Sequence, residues 1–184
     1  MLSFGLYLLT GLDKQDIIYF DVQINCFPSG GHIILQSDQK IQLNYFLVKV
    51  FNEILRIEEE CLKKGEFHNL SVREMHVIEA VCTANHTVGS NRSSDIAHAL
   101  RISAGTLTTT VKLLEKKGCL IRKKDTADKR IVRLYATQKG QRADRAHQKF
   151  HREMVLSVLK ALPSEETDVL IKALNKLEAF FERL

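Results

Sequence analysis

A helix-turn-helix is predicted by the stretch SSDIAHAL-RIS-AGTLTTTVKLLEKKG, which runs from Ser93 to Gly118. Its apolar residues recur at helical spacing on both sides of the turn RIS. Ser103 can cap the second helix, and Gly118 lies where the end of that helix favours positive φ. The inward-facing residues are predicted to be Ile96, Ala97, Leu100, Leu107, Val111 and Leu114. A short helix, a tight turn and a second helix form the usual DNA-binding helix-turn-helix.

The next segment, CLIRKKDTADKRIVRLYA, alternates as two strands around a charged turn. A hairpin directly after a helix-turn-helix would make a winged helix, with the charged turn at the tip of the wing. Lys129 and Arg130 are predicted to reach DNA from this turn, Arg130 as a probe of the minor groove. Asp125 and Asp128 are predicted to orient those basic side chains through charge-assisted hydrogen bonds.

The second helix of the pair is expected to enter a major groove. Its outward residues are small or hydroxylic, so the helix can approach closely, donate to phosphates and touch thymine methyl groups. The DNA contacts are predicted to come from Ser103, Ala104, Gly105, Thr106, Thr108, Thr109, Lys112, Arg122, Lys129 and Arg130. A solvated threonine-rich face is the alternative, but threonine is a poor helix former and a run of three favours a function.

Positive charge is concentrated in the middle of the chain. The formal net charge is +5, whereas residues 92–145 hold 14 basic and 5 acidic residues, a local net charge of +9. Such a concentration is typical of a surface that binds a polyanion. A basic face that only meets solvent would explain the charge equally well, so the charge supports the helix-turn-helix interpretation without proving it.

The chain divides into three predicted regions. Residues 1–40 form an N-terminal extension, either a hairpin made of DIIYFDVQINCF and HIILQS around the turn PSGG or a disordered leader. Helices are predicted in residues 41–66 and 138–184, with the first helix beginning at Ile41. Residues 67–137 form the predicted winged helix-turn-helix. The expected fold class is mainly α with a small β wing.

Several helix ends carry recognisable signals. Ser71 and Glu74 form a capping box at the start of the second helix. Thr137 is predicted to cap a long helix that continues to about Leu162, and Ser164 to open the last helix after Pro163. These signals predict helices both before and after the wing in the sequence.

Several classes of protein are excluded by what the sequence lacks. It has no GxSxG, P-loop, Rossmann glycine pattern or HExxH, so no enzyme is expected. No run of 18 apolar residues and no signal peptide are present, so we expect a cytoplasmic protein without membrane partners. Four widely spaced cysteines without a CxxC pair are expected to be reduced thiols.

The segment from Ser93 to Gly140 resembles the DNA-binding core of the MarR family of winged-helix regulators. The wing carries that family's spacing of residues, which is Asp125, Asp128, Lys129, Arg130, Thr137 and Gly140. The resemblance covers roughly residues 42–184. It departs from the family pattern at Lys129, where arginine is commoner, and at Ala136, where leucine is usual.

The resemblance implies an obligate homodimer in which the first helix and the last two helices of each chain interleave. The helical regions 41–66 and 138–184 are then the dimerisation region, and the partner is double-stranded DNA with an inverted-repeat operator. The segments IEEE, SVREMHVIEAV, GTLTTTVKLLEKKG and HQKFHREMV are similar to the fatty-acid-biosynthesis repressors of Gram-positive bacteria. That branch implies a repressor whose effector is a long-chain acyl group on acyl carrier protein.

Three alternatives stay open beside that interpretation. His147 and His151 have an i, i+4 spacing that can place two imidazoles on one metal. In zinc-responsive members of the family such a pair is joined by a histidine and a glutamate, which by position are His76 and Glu58 here. Otherwise no cofactor is expected. An oxidant-sensing Cys61 is disfavoured by its glutamate neighbours, and a non-specific structural DNA-binding protein is the alternative from another class.

Overall fold

A computed structural model describes residues 37–86, 90–181 and 183 of the chain. In this part of the chain the elements are α1 (Ser37–Lys64), α2 (Val72–His86), α3 (Ser93–Ala99), α4 (Ala104–Lys116), β1 (Leu120–Lys124), β2 (Val132–Ala136), α5 (Gln138–Ala161) and α6 (Ser164–Phe181). The order is that of a helix-turn-helix followed by a wing and two further helices. The predicted fold class, mainly α with a small β wing, is confirmed.

Helix α1 begins at Ser37, four residues before the predicted start at Ile41. The residues before Ile41 lack a clear apolar period, which is why the sequence pattern placed the start of the helix too late. The hairpin predicted for residues 1–40 lies outside the described residues, apart from its last residues, which are helical.

The predicted caps form the expected hydrogen bonds. Ser71 and Glu74 make a reciprocal capping box, in which the Ser71 amide donates to Glu74 Oε2 at 2.8 Å and the Glu74 amide donates to Ser71 Oγ at 3.3 Å. Ser103 Oγ accepts from the Thr106 amide at 3.0 Å at the start of α4. A side-chain cap of this kind contributes about 1 kcal/mol to stability. Gly118 has φ +72° just after α4, the left-handed conformation that glycine adopts without strain.

The core lies beneath the helix-turn-helix. All six residues predicted to face inward on α3 and α4 are buried, and they meet apolar side chains from α2 and the wing strands. The buried apolar residues of these neighbouring elements are Met75, Val77, Ile78, Val81, Leu120 and Leu134. Burial of each such side chain contributes roughly 1.5–3 kcal/mol, so α4 is held by packing rather than by its own helix propensity.

The wing is a two-stranded antiparallel sheet. Leu120 pairs with Ala136 and Lys124 pairs with Val132 in the register of β1 and β2. The turn between the strands spans the charged residues that the sequence placed at the tip. A third segment touches the wing, because the Leu134 amide donates to the Asn91 carbonyl at 2.9 Å and an isolated bridge pairs Arg92 with Arg133. The wing is thereby tied to the residues that precede α3.

The chain forms two compact units. Among the described residues, one unit contains the winged helix-turn-helix within residues 55–155, and the other contains residues 37–54, 156–181 and 183. The boundaries fall inside α1 and α5 rather than at the ends of these helices. No helix within the described ranges is long and apolar enough to cross a membrane.

Candidate functional site

The N-terminal part of α4 presents the residues predicted to contact DNA. Thr106 is half-buried, and the others predicted on this helix are exposed: Ser103, Ala104, Gly105, Thr108, Thr109 and Lys112. The Oγ1 atoms of Thr108 and Thr109 donate to the carbonyls of Ala104 and Gly105 at 2.7 and 3.1 Å. Their hydroxyl protons are therefore already used within the helix. These threonines offer acceptor oxygens and methyl groups to a partner rather than free donors.

The wing turn is built on its two aspartates. Asp125 Oδ1 accepts from the amides of Ala127 and Asp128 at 2.8 and 3.1 Å, and its other oxygen forms an ion pair with Arg133. Asp128 Oδ1 accepts from the Arg130 amide at 2.9 Å. The hydrogen bond from Arg133, followed by those from the two amides, lowers the pKa of the Asp125 carboxyl to about 2. These contacts show that the aspartates fix the turn backbone and Arg133, whereas the expected contacts with the Lys129 and Arg130 side chains are not among them.

Arg133, whose charge the sequence predicts only to favour phosphate, connects the wing to the helix-turn-helix. Its Nε donates to Asp125, and its Nη1 donates to Asn91 Oδ1 at 2.8 Å. Asp125 and Asn91 lie far apart in the sequence, so no local sequence pattern indicates that Arg133 contacts both of them. The alternation of apolar and polar residues along β2 was the available sequence signal for Arg133, because it places this residue on the face opposite the buried Leu134. Lys129 and Arg130 are exposed at the tip, free of that network.

A groove of about 460 Å³ lies between the start of α3, helix α4 and the wing. Three arginines line it, Arg92, Arg122 and Arg130, with the hydroxyls of Ser93, Ser94 and Thr108. Arg122 is paired with Glu115 at 2.6 Å, so part of its charge is already compensated. Arg92, Ser93 and Ser94 were missed by the sequence interpretation, which considered α4 and the wing alone. Arginines and hydroxyls around one groove are suited to phosphate oxygens.

A buried polar cluster joins α1, α2 and α5 within the unit of residues 55–155. Glu58 Oε1 lies 2.6 Å from His147 Nε2 and 3.4 Å from His76 Nε2, and His151 Nε2 lies 3.1 Å from His147 Nε2. One candidate ligand atom from each of these four residues lies within 4.8 Å of all the others. The structure therefore brings together the four residues that the resemblance to zinc-responsive regulators indicated.

The chemistry of this cluster suits a divalent cation. Burial would raise the pKa of Glu58, but hydrogen bonds with His147 and His76 outweigh burial and lower it to about 2. Burial and the neighbouring His147 lower the pKa of His151, which favours the neutral, ligating form of this ring. Glu58 Oε2 is buried without a hydrogen-bond partner. Three imidazoles and a carboxylate are a donor set that zinc takes in tetrahedral sites, so these residues fit the ion.

An apolar cavity of about 160 Å³ lies beside the cluster. It is lined mainly by Leu62, Phe67, Met75, Ala146 and Phe150, and Glu58 and His147 form its polar wall. A dry cavity of about 150 Å³ can bind benzene, so this cavity has room for a small apolar fragment. The same two residues thus belong to the polar cluster and to the cavity.

The described cysteines differ in their surroundings. Burial, followed by the neighbouring Asp144, raises the pKa of the Cys82 thiol to about 12, and burial raises that of Cys119. Both thiols are therefore inert as nucleophiles. Cys61 is exposed at the edge of the cavity. Its neighbours Glu59 and Glu60 are paired with Lys63 and Arg56.

Comparison with known proteins identifies relatives in sequence. The model of the MarR family matches residues 85–132. The chain is 25% identical over 141 residues to YkoM of Bacillus subtilis (strain 168), which is described as an uncharacterized HTH-type transcriptional regulator. That match covers 76% of this chain and 89% of YkoM.

Solved structures show the same architecture. FabT of Streptococcus pneumoniae, solved in complex with DNA, is 32% identical with a TM-score of 0.72, covering 78% of this chain and 98% of FabT. MepR of S. aureus, also solved in complex with DNA, is 19% identical with a TM-score of 0.62, covering 76% of this chain and 97% of MepR. The MepR similarity concerns the fold alone, whereas the FabT similarity extends to sequence over nearly the whole of that protein.

Proposed function

Since this chain belongs to the MarR family of DNA-binding transcription regulators, we propose that it is a homodimeric repressor of fatty-acid-biosynthesis genes. In this proposal α4 of each protomer enters a major groove and each wing follows the adjacent minor groove. The observation that carries the proposal is the groove lined by Arg92, Arg122 and Arg130, which lies between the exposed face of α4 and the wing. A phosphate bound there would align the helix and the wing on one strand.

The homodimer is supported by apolar side chains that the single chain leaves exposed. Helix α6 has no buried residue, although its apolar positions recur at helical spacing. Val169 is 67% exposed, and Tyr45 and Phe46 on α1 are 63% and 52% exposed. Exposed apolar surface of this extent marks an interface, and the interface of an obligate homodimer buries about 2,000–5,000 Å². Sedimentation velocity at micromolar concentration should give a single species of twice the chain mass.

The operator follows from the symmetry of such a dimer. A two-fold axis between the protomers presents two equal recognition helices, so the DNA site should be an inverted repeat with half-sites one helical turn apart. A non-specific structural DNA-binding protein would bind random DNA equally well. A regulator should prefer its operator by about 10³-fold or more at physiological salt, which a competition titration measures.

The assignment to fatty-acid synthesis rests on the resemblance of four sequence segments and on the similarity to FabT. A long-chain acyl group delivered by acyl carrier protein is the proposed effector, and the apolar cavity beside Glu58 is its proposed binding site. At about 160 Å³ the cavity takes only part of such a chain. We therefore expect the cavity to hold one end of the acyl group, while the rest lies along the surface or in a widened channel.

Fluorescence anisotropy tests this proposal directly. The protein is titrated onto a labelled promoter fragment of the fatty-acid genes, in the presence of palmitoyl acyl carrier protein or of the same carrier without an acyl group. A change in DNA affinity that requires the acyl group supports the proposal. Equal affinity with both forms of the carrier contradicts the acyl effector, and equal affinity for random DNA contradicts the regulator.

A zinc-responsive regulator is the second candidate function, and the cluster of Glu58, His76, His147 and His151 favours it. Zinc held by these residues would supply a cross-link between α2 and the parts of α1 and α5 that belong to the same unit, which also carries the wing. Because α2 packs against the recognition helix, that cross-link would favour one arrangement of the DNA-binding surface. A ligand that shifts DNA affinity in this way typically contributes about 1–3 kcal/mol of coupling.

Zinc and acyl effects can be separated in the same assay. Zinc chloride, or a chelator, is added to the protein and operator without any carrier protein. A zinc-dependent affinity that disappears in a His151→Ala variant supports the zinc-responsive function. Unchanged affinity over the whole range of free zinc contradicts that function and leaves the acyl proposal unaffected.

A further inference from the structure

The ring of His147 lies between two carboxylates. Its Nε2 atom is 2.6 Å from Glu58 Oε1, and its Nδ1 atom is 3.5 Å from Glu79 Oε2 on α2. The His147 side chain is 1% exposed and that of Glu79 is 15% exposed. Neither Nδ1 nor Glu79 Oε2 has a hydrogen-bond partner. Two unpartnered atoms of complementary chemistry, a ring nitrogen and a carboxylate oxygen, therefore face each other at the back of the cluster.

The two ring nitrogens of His147 have different surroundings. The Nε2 atom faces Glu58 and His151, which are the other candidate ligands, whereas the Nδ1 atom faces only the side where Glu79 lies. A neutral imidazole carries one N–H, and the nitrogen that binds a cation must be the one without it. If Nε2 binds zinc, the remaining hydrogen has to be on Nδ1. A buried N–H without an acceptor is destabilising, so the bound state needs an oxygen at this position.

We propose that Glu79 is a positioning residue for the metal centre, whose Oε2 accepts the Nδ1–H of His147 and so directs Nε2 towards the ion. This inference rests on the zinc site proposed above. The present distance of 3.5 Å lies at the limit of a hydrogen bond, and a small movement of either side chain would close it. Carboxylates that orient a ligating histidine in this way raise the basicity of the ligand and hold its ring in place.

Asp144 provides a matched control. It is buried on α5, one helical turn before His147, and its carboxylate lies beside Cys82 of α2. Its Oδ2 accepts from Gln148 Nε2 at 2.9 Å, and among the described contacts Asp144 acts on His147 and Glu79 through its charge, without a hydrogen bond to a ring nitrogen of His147. Removing the charge of Asp144 therefore changes the local electrostatic field without touching the proposed hydrogen bond. A comparison of variants at Glu79 with a variant at Asp144 therefore distinguishes the specific hydrogen bond from a general effect of negative charge.

The first test measures zinc affinity by competition with a fluorescent chelator for the wild type and for Glu79→Leu, Glu79→Gln and Asp144→Asn. Loss of an outer carboxylate typically lowers metal affinity about 10–100-fold, so we expect a loss of that size for Glu79→Leu. Glu79→Gln retains an acceptor oxygen and should lose less. Asp144→Asn should stay within about threefold of the wild type, well below the loss for a direct partner.

The second readout is the ring hydrogen itself. In ¹⁵N-labelled, zinc-loaded protein, the His147 Nδ1–H should give a slowly exchanging NMR signal that is retained in Asp144→Asn and lost in Glu79→Leu. If Glu79→Leu does not fold, Glu79→Gln, which keeps the shape of the side chain, is compared with the wild type instead. Wild-type protein without measurable zinc affinity contradicts the metal site itself. Tight wild-type binding with equal affinity and equal signals in the Glu79 variants overturns the role of Glu79 and leaves the metal site in place.

Discussion

Gly140 packs directly onto the carbonyl of Cys119, so closely that a Cβ atom on residue 140 would lie 2.2 Å from that oxygen. The contact joins the first turn of α5 to the start of the wing. It is reinforced by Thr137, whose Oγ1 donates to the carbonyls of Gly118 and Cys119 and accepts from the Gly140 amide. The spacing of Thr137 and Gly140, which the sequence offered only as a resemblance, thus has a steric reason.

Gly140→Ala should destabilise the fold by about 1–3 kcal/mol, because the new methyl group meets backbone that cannot move aside as a side chain would. The free energy of unfolding, measured in urea at fixed protein concentration, checks this value. Gly105→Ala is the control, since a Cβ at residue 105 meets only Ser103 Oγ at 3.8 Å. Equal stability of the two variants would contradict the proposed contact.

Arg130→Ala should weaken operator binding by about 1–3 kcal/mol without changing the thermal stability. The slope of log K against log salt should become less steep by about 1 for each phosphate contact that is lost. Arg122→Ala should cost less affinity, because Glu115 already compensates part of the Arg122 charge. Anisotropy at four salt concentrations measures both effects. Unchanged affinity and slope in Arg130→Ala would contradict a role for the wing in DNA binding.

Asp125→Asn should weaken DNA binding even though it removes a negative charge from a DNA-binding surface. The ion pair with Arg133 holds the wing strand against Asn91, and without it the turn is less well fixed. Asp95→Asn removes an equal charge from α3 and leaves the wing unchanged. The DNA affinity of this variant should therefore equal or exceed that of the wild type. The same anisotropy titration compares them. Tighter binding by Asp125→Asn would show that the charge of residue 125, rather than the geometry of the wing, determines the DNA affinity.

The stability of the metal-free protein should decrease as the pH falls from 8 to 5.5. Burial lowers the pKa of His151, so the folded protein keeps this ring neutral where the unfolded chain takes up a proton. The free energy of unfolding therefore falls as the pH passes down through about 6.5, the ordinary pKa of histidine. His151→Gln should show a smaller decrease, and His68→Gln, which alters an exposed histidine, should match the wild type. Urea unfolding in the presence of a chelator measures these slopes, and equal slopes in all three proteins would refute the prediction.

Ala146→Trp should abolish the response to the acyl carrier. Ala146 lines the apolar cavity, and an indole at this position would occupy a space of about 160 Å³. The measured quantity is the ratio of operator affinities with and without the acyl group, which should fall to about one because the ligand is excluded by sterics. Lys149→Trp adds the same indole to α5 away from the cavity lining and should retain the ratio. A response that survives in Ala146→Trp places the acyl group elsewhere.

The sequence predicted those elements whose signals are local. The capping box of Ser71, the cap at Ser103 and the positive φ of Gly118 are each specified within a few residues, and all three are observed. The positive φ of Arg101, at 52°, could not be predicted, because the turn imposes it on a residue without any preference for that conformation.

Long-range contacts needed the three-dimensional structure. The partnership of Arg133 with Asn91 joins residues 42 positions apart, and neither residue type in its local sequence indicates the other. The four polar residues of the buried cluster were identified only through a resemblance, since i, i+4 spacing explains His147 and His151 but not Glu58 or His76. Glu79 escaped notice altogether, because a half-buried glutamate on a helix is indistinguishable in sequence from one on the surface.

The hydrogen bond between Glu58 and His147 spans 89 positions of the chain. During synthesis Glu58 therefore leaves the ribosome before its partner exists, and the helix-turn-helix and the wing lie between the two residues in the sequence. Contacts of such separation form late, because the intervening loop must first be ordered. A chain that ends before α5 would lack His147 and His151, and Glu58 would keep only His76 of the cluster as a partner.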